Sequence, residues 1–592
     1  YKASTRVELA TEDIARFDEL AQMGEPFLIG LLNEGESDEV LTRVRLYKVG
    51  GRVELSEFVP TLESLGLRAI EELPTALLER DGQEWFLHDF GVLDAEHRPV
   101  DLEGTGARIA ECIAAVWRGA CESDSLNRLV VTAGLDWRQV QILRAYRKYH
   151  HRVNASFPVE YKNEAFASHP QIARKLVRLF ELRFDPSSPA DPEVVEALRA
   201  EIRADLDAVV SLEQDRILRN ALGVIDATVR TNAFLPGRPA MSLKFRSAAV
   251  PEMPKPTPLY EVFVYSTDME AIHLRGGKAA RGGIRWSDRR QDYRIEVLAL
   301  MKAQMVKNAV IVPTGAKGGF VLKRAVSDPA LLREEATRQY VTFIRSLLDV
   351  TDNLVDGKVV HPEHVVIHDE DDPYLVVAAD KGTATFSDTA NAISAEYGFW
   401  LGDAFASGGS AGYDHKALGI TARGAWESIK RHFREMGTDV MNEPFTVVGI
   451  GDMSGDVFGN GMLYSEQICL VAAFDHRHVF IDPTPSPAAG YAERRRLFDQ
   501  PGSTWEDYER SAISPGGGVW PRSAKSIPVS AEARLALGIE DEELAPTALI
   551  SAILRAPVDL LYNGGIGTYG KASTDRHADA DDRTNDDLRA DG

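Results

Sequence analysis

From about Phe245 onward, segments with helical periodicity alternate with short apolar runs: "IEVLALMKAQMVKNAVIVP", "HVVIHDE", "YLVVAAD", "FTVVGIG", "CLVAAFD" and "VDLLYNGG". No other feature constrains the fold as strongly. Alternation of this kind buries its strands when helices cover a sheet that runs mainly parallel, so α/β architecture is expected. Upstream the order differs. "LTRVRLYKVG", "LRAIEELPT" and "EWFLHDFGVL" look extended around a helical "LSEFVPTLESLG", with Ser56 as the expected N-cap. This βαββ order suggests a small α+β module of ferredoxin-like type. Apolar residues then recur at helical spacing from Gly104 to Phe184. After the breaker "DPSSPADPE", one long amphipathic helix is expected from Val194 through Leu212 toward Ile225. The proline-rich "VPEMPKPTPLYEVFVYS" marks a boundary. The expected divisions are an α+β module at 1–103, a helical region at 104–250, and two α/β parts at 251–440 and 441–592. The last is interrupted near 483–544 by an insertion rich in Pro, Gly, Ser and Trp.

With 592 residues, about four domains of roughly 150 residues are expected. A content of 44% hydrophobic and 27% charged residues suits packed cores rather than disorder. The net charge of −23 repels phosphate backbones, and no local basic patch offsets it, so a nucleic-acid partner is excluded. No apolar run approaches the roughly 18–20 residues needed to span a bilayer, so no membrane association is expected. Cys112, Cys121 and Cys469 form no CxxC pair, which argues against a disulfide framework or a structural zinc site and suits a cytoplasmic protein. The chain starts at Tyr1 rather than Met and stops at Gly592 after a polar stretch, so it is expected to be a piece of a longer protein, cut within its last domain.

"FTVVGIGDMSGDVFGNGML" reads as strand, glycine turn and helix. Gly449 and Gly451 permit a tight turn and close approach to a pyrophosphate, with free N–H groups expected at the following helix. Gly455 comes one residue later than G-x-G-x-x-G demands. The next strand ends at Asp475, about 20 residues on, where a carboxylate can accept from ribose hydroxyls and repel a 2′-phosphate. This favours NAD over NADP. A plain glycine turn with an ordinary surface Asp fits the same letters. Asn563, after "VDLLY", suits either a contact to ribose or nicotinamide or a simple Asn-Gly turn.

The richest segment is "AARGGIRWSDRRQDYRIEVLALMKAQMVKNAVIVPTGAKGGF". Arg281 precedes the pair Gly282–Gly283, Lys317 precedes another glycine pair, and Lys307 lies between them. The glycines are expected to leave room for a substrate, and three cations suit a small anion with more than one carboxylate. Asp380 ends the run "YLVVAAD", where ligands gather in α/β sheets, although it could also cap a helix near Thr385–Phe386. The acids of "HDEDDPY" on a turn are not expected to converge on one ion, and the two histidines of "DHRH", alternating across a strand edge, are not expected to pair on a metal.

"ARGGIRWSD", "LMKAQMVKNAVIVPTGAKGGF", "AADKGTATFSD", "GGSAGYDHKALGITARGAW" and "VVGIGDMSGDVFGNGM" together resemble the glutamate/leucine/phenylalanine/valine dehydrogenase superfamily. Within it they are similar to the large NAD-dependent glutamate dehydrogenases of bacteria. The likeness to the catalytic unit runs from about Pro251 to the C-terminus. It implies a substrate domain at 251–440, a Rossmann-like NAD domain at 441–592 and an ACT-like regulatory module at 1–103. It implies that Lys317 activates water, that Asp380 moves protons to and from the amino group, and that Lys307 holds the α-carboxylate. Arg281 stands where glutamate-specific members carry a lysine for the side-chain carboxylate, and Thr421 matches the threonine that contacts the nicotinamide amide. The partners implied are L-glutamate, 2-oxoglutarate and ammonia, with a homo-oligomer and a small-molecule effector expected. Two rivals stand: an amino-acid dehydrogenase of another side-chain preference, with Arg281 turned from the pocket, and a non-catalytic regulatory or assembly subunit.

Overall fold

The computed structural model describes residues 7–33, 40–80, 83–307, 314–379, 385–410, 415–565, 567–577 and 585–591, in two units, 1–409 and 410–592. In the first unit, strands β1 (Phe27–Asn33), β2 (Thr42–Val49), β3 (Arg68–Arg80) and β4 (Gln83–Leu93) form an antiparallel sheet in the order β1-β2-β4-β3. The expected βαββ order is present, with helix Leu55–Ser64 between β2 and β3. Alternation along the strands sends Val44, Leu46, Phe90 and Val92 into a core with the helices Leu55–Ser64 and Leu102–Trp117. On the other face, helix Val7–Met23 buries Phe17 and Leu20 against Tyr47, Trp85 and Leu87. Ser56 is not the N-cap. The helix begins two residues earlier than that cap would place it, so Glu54 takes the N-cap position without a side-chain cap bond, and Ser56 lies inside the first turn.

The long helix expected from Val194 to Ile225 is two helices, Pro192–Asp207 and Leu212–Ala227. Ser211 explains the break. Its extended backbone and its hydroxyl, which accepts from the Gln214 N–H, start a new helix.

The sheet that follows is mixed rather than mainly parallel. Its strands are β5 (Thr228–Thr231), β6 (Met241–Arg246), β7 (Tyr260–Tyr265), β8 (Met269–Arg275), β9 (Ala280–Arg281), β10 (Gly283–Trp286) and β11 (Thr314–Leu322). After a hairpin of β12 (Asn353–Val355) and β13 (Lys358–Val360) comes β14 (Ala378–Ala379), and the sheet order is β14-β10-β11-β8-β7-β6-β5. Strands β5 to β8 form an antiparallel meander, and β8 pairs antiparallel with β11. Only three residues join β7 to β8, far too few for a crossover helix. The parallel part is β9, β10, β11 and β14, with β9 and β10 both pairing with β11. Because β5 and β6 precede Pro251, this sheet continues through the proline-rich segment. One face packs Ile272, Leu274 and Val321 with Val297 and Met301 of helix Tyr293–Lys307. The other packs Ala271, Ile284 and Phe320 with Tyr340, Phe343 and Ile344 of helix Pro329–Leu348.

The acids of "HDEDDPY" find protein cations. Arg230 bonds both Asp352 oxygens and Asp369, Lys244 bridges Asp369 and Asp372, and Arg275 bonds Asp372. All six side chains are buried or nearly so, and three positive groups balance three negative ones. Burial alone would raise the Asp372 pKa, but Arg275 and Lys244 hold it far below the ordinary carboxylate value.

In the second unit, β15 (Phe445–Ile450), β16 (Ile468–Phe474), β17 (His478–Ile481), β18 (Gly518–Pro521), the small pair β19 (Ile527–Pro528) and β20 (Glu543–Leu544), and β21 (Leu560–Asn563) are the strands that matter here. The main sheet has the order β18-β17-β16-β15-β21, parallel for β16-β15-β21 and antiparallel beyond β16. The segment expected as an interruption at 483–544 therefore extends the sheet through β18. Helix Ile420–Met436 packs Trp426 and Phe433 against Phe445 and Val447, while Val448, Ile450 and Val471 meet Leu549, Ile550 and Ile553 on the opposite face. Among the described residues, no helix is long and apolar enough to cross a membrane.

Candidate functional site

Strand β11 organises the cationic segment. Lys317 is 5% exposed, sits opposite Leu274 of β8, and lies between Gly315 and Gly319 on the same strand face. That face is covered by helix Tyr293–Lys307, since the missing Cβ of Gly315 would meet Gln304 and that of Gly319 would meet Val297. Arg281 is exposed and in register with Gly315, two residues from Lys317. The backbone of Lys307 closes the helix one turn beyond Gln304. One strand end thus gathers Arg281, Lys317 and the end of the helix that carries Lys307. Asp380 lies outside the described residues; its neighbour Ala379 pairs with Ile284 of β10.

The glycines have a different use from the one expected. Protein atoms, rather than vacant space, stand where their side chains would be. A Cβ on Gly282 would collide with the Ala316 carbonyl, and one on Gly283 would lie 2.7 Å from the Ala378 carbonyl oxygen. One on Gly318 would strike Ile284 and His273. Close backbone approach between β9, β10, β11 and β14 requires these residues to lack side chains. Helix Tyr293–Lys307 is fastened at its start: Glu296 accepts from Arg285 (2.8 Å) and Ser287 (2.6 Å), and buried Arg294 pairs with buried Glu261. His273, on the opposite face from Lys317, is pushed down to about 3 by burial and by Arg275, so it is neutral.

In the second unit the glycine turn follows β15. Gly451 has φ +140°, a conformation side-chain-bearing residues rarely adopt, and a Cβ there would lie 2.7 Å from Phe458 Cβ. Its N–H donates to the Phe474 carbonyl at the end of β16 (2.8 Å). The helix after the turn is only Asp456–Gly461, with Gly455 as its N-cap. The free N–H groups expected there are in part engaged, because the Asp452 carboxylate accepts from Ser454 N (2.9 Å) and Gly455 N (3.2 Å). An Asp whose second and third following residues are Ser and Gly, as in "DMSG", can close on its own backbone in this way, a signal the sequence reading passed over.

Asp475 lies beyond β16, in the tight connection to β17. Its Oδ1 accepts from Arg477 N and His478 N (2.7 and 2.6 Å), so "DHRH" is a turn rather than a run across a strand edge. Its Oδ2 is buried and has no hydrogen-bond partner among the described residues. A buried carboxylate oxygen without a donor fits a ribose hydroxyl. Asp452, Asp475 and His476 bring one ligand atom each within 4.8 Å of the others. Asn563 ends β21 beside Ile450; its Oδ1 accepts from Gly565 N (2.9 Å), and Gly564 N donates to the Ile450 carbonyl (2.7 Å). Thr421 is exposed in the first turn of helix Ile420–Met436. Its near neighbour Gly419 packs on Asn460 of the short helix after the glycine turn. Gly449, Gly451, Gly455, Asp475 and Asn563 therefore lie at or just beyond the C-terminal ends of β15, β16 and β21, the edge where ligands bind in sheets of this kind.

Sequence reasoning missed Trp505. It comes from the 483–544 segment, is 1% exposed, and its indole N–H donates to the Gly451 carbonyl (3.0 Å). The capping box of Thr504 with Asp507 was its only local signal.

Comparison with known proteins matches three family models along the chain. They are the ACT3 domain of glutamate dehydrogenase over residues 27–105, helical motif 3 of glutamate dehydrogenase over 121–186, and the catalytic domain of bacterial NAD-glutamate dehydrogenase over 201–592. Among similar curated proteins, the NAD-specific glutamate dehydrogenase of Pseudomonas aeruginosa is 53% identical over 93% of this chain and 34% of its own length. That of Halomonas elongata is 49% identical over 100% of the chain and 37% of its own. That of Mycobacterium tuberculosis is 50% identical over 100% of the chain and 38% of its own. The chain spans about a third of the length of these relatives. With a catalytic-domain match over most of its residues and this degree of identity, the chain belongs to the bacterial NAD-glutamate dehydrogenase family.

Proposed function

We propose that this chain carries the catalytic centre of an NAD-dependent glutamate dehydrogenase, which oxidatively deaminates L-glutamate to 2-oxoglutarate and ammonia. The observation that carries the reading is the strand end at β11, where buried Lys317 stands two residues from the Arg281–Gly315 register. The names of the similar proteins supply the substrate and cofactor, and the cationic strand end and the orphaned oxygen of Asp475 agree with both.

Arg281 and Lys307 neutralise the two carboxylates of glutamate and turn its single Cα hydrogen toward the acceptor. NAD⁺, when bound, supplies the hydride acceptor. Lys317 holds the water that attacks the resulting iminium carbon and stabilises the carbinolamine. Asp380 moves protons to and from the amino group until ammonia leaves. In the second unit, Gly449, Gly451 and Gly455 would admit the pyrophosphate, Asp475 would accept from the ribose, and Thr421 and Asn563 would face the nicotinamide end. Asp475 would also repel a 2′-phosphate, which gives preference for NAD. The ACT-like module at 1–103 serves effector or assembly control in a cytoplasmic homo-oligomer.

The test is NADH formation by the full chain with glutamate, leucine or valine, and with NAD⁺ or NADP⁺. Glutamate with NAD⁺ is expected to give the highest kcat/KM. Equal or greater turnover with an apolar amino acid would overturn the substrate, and no turnover with any would overturn the activity.

A further inference from the structure

We propose that the turn Thr504–Asp507, inside the segment that interrupts the nucleotide fold, is the positioning element of the NAD site. This rests on the cofactor reading above and assigns a role to residues that reading does not use. The short helix Trp505–Asp507 is closed by a capping box between Thr504 and Asp507 and reaches both parts of the site. Trp505 donates its indole N–H to the Gly451 carbonyl, while the Gly451 N–H is held by Phe474, so both polar groups of that residue are held. The indole stacks on Phe480 (centroids 4.7 Å apart) and meets the edge of Phe458 (5.8 Å), the ring that fills the space beneath Gly449 and Gly451. The next residue, Glu506, pairs with His478 Nε2 (3.3 Å). His478 in turn donates its backbone N–H to Asp475 Oδ1. One turn from outside the βαβ unit thus fixes the peptide at the pyrophosphate and the carboxylate at the ribose. A buried carbonyl that loses its donor is free to reorient, and Gly451, being glycine, offers little resistance.

Trp505→Phe keeps an aromatic ring in the stack and removes the donor, whereas Glu506→Gln weakens the second arm at an exposed position and leaves the packing intact. NAD⁺ binding to the full chain, measured by titration calorimetry, is expected to weaken about tenfold in Trp505→Phe, or about 1.4 kcal/mol. It is expected to weaken about threefold in Glu506→Gln, with the number of sites unchanged in both. The KM for glutamate is expected to stay within twofold. A merely structural role would lower the number of competent sites and leave Kd alone. Wild-type Kd in both variants, or in Glu506→Gln should Trp505→Phe not fold, overturns the proposal. Failure of the unsubstituted chain to bind NAD⁺ would refute the underlying cofactor reading instead.

Discussion

Replacing Gly282 by alanine places a methyl group where the chain has none to spare. A Cβ built at Gly282 falls within bonding distance of the Ala316 carbonyl oxygen, and the next nearest atoms are also Ala316 backbone. No side chain can swing aside. Restoring an ordinary separation of about 3.5 Å requires β9 and β11 to move apart by about 2 Å. The residues on either side of this contact are Arg281 and Lys317, so the strain falls between the two cations proposed to hold and process one substrate. Misplacement by about 1 Å can cost about 10²-fold in rate, so kcat for glutamate should fall by at least about 10²-fold. Overpacking should also destabilise the unit by about 1–3 kcal/mol. The paired control is Gly424→Ala, within helix Ile420–Met436, where an added Cβ meets nothing within 4 Å. That change should raise stability by up to about 1 kcal/mol. Steady-state kinetics and thermal unfolding on both variants decide the matter. If Gly282→Ala keeps kcat within twofold of wild type, the close approach does not set the site geometry and the reasoning fails.

Two further outcomes are expected. For Glu122, burial would raise the pKa, but Lys323 and Lys148 outweigh it and bring the carboxyl down from 4.5 to about 2. A depressed carboxylate stabilises the fold fully above about pH 4.5 and loses that contribution as pH falls toward 2. Glu122→Gln should therefore lower the Tm most at pH 6 and progressively less below pH 4.5; a gap independent of pH would contradict the pairing. Asp475→Ser should raise kcat/KM with NADP⁺ relative to NAD⁺ by at least about tenfold, and an unchanged ratio would remove Asp475 from the ribose site.

Much of this architecture was legible because local signals agreed with tertiary ones. The βαββ order around β2 to β4 and the strands ending at Ile450, Phe474 and Asn563 carry apolar patterns that packing preserves. The direction of β5 to β8 was not legible, since an apolar run looks alike in parallel and antiparallel neighbours and only the three-residue β7–β8 connection decides it. The long helix failed at Ser211 because amphipathic periodicity carries across a break that a single capping residue makes. At the site, charge and glycine spacing singled out Arg281, Lys317 and Gly451, but not why the glycines are there. Their neighbours Gln304, Val297, Ala316 and Phe458 are distant in sequence or hidden on another element. Trp505 and the Arg230–Lys244–Arg275 cluster escaped for the same reason: their partners lie about 50 to 140 residues away.

Lys317→Ala tests the central claim most directly. Its side chain is buried at the cationic strand end, and NAD is proposed to be held by residues of the other unit. Glutamate-dependent NADH formation should fall by about 10³-fold or more, with Kd for NAD⁺ within twofold of wild type. Unchanged turnover in a variant that binds NAD⁺ normally would contradict the account.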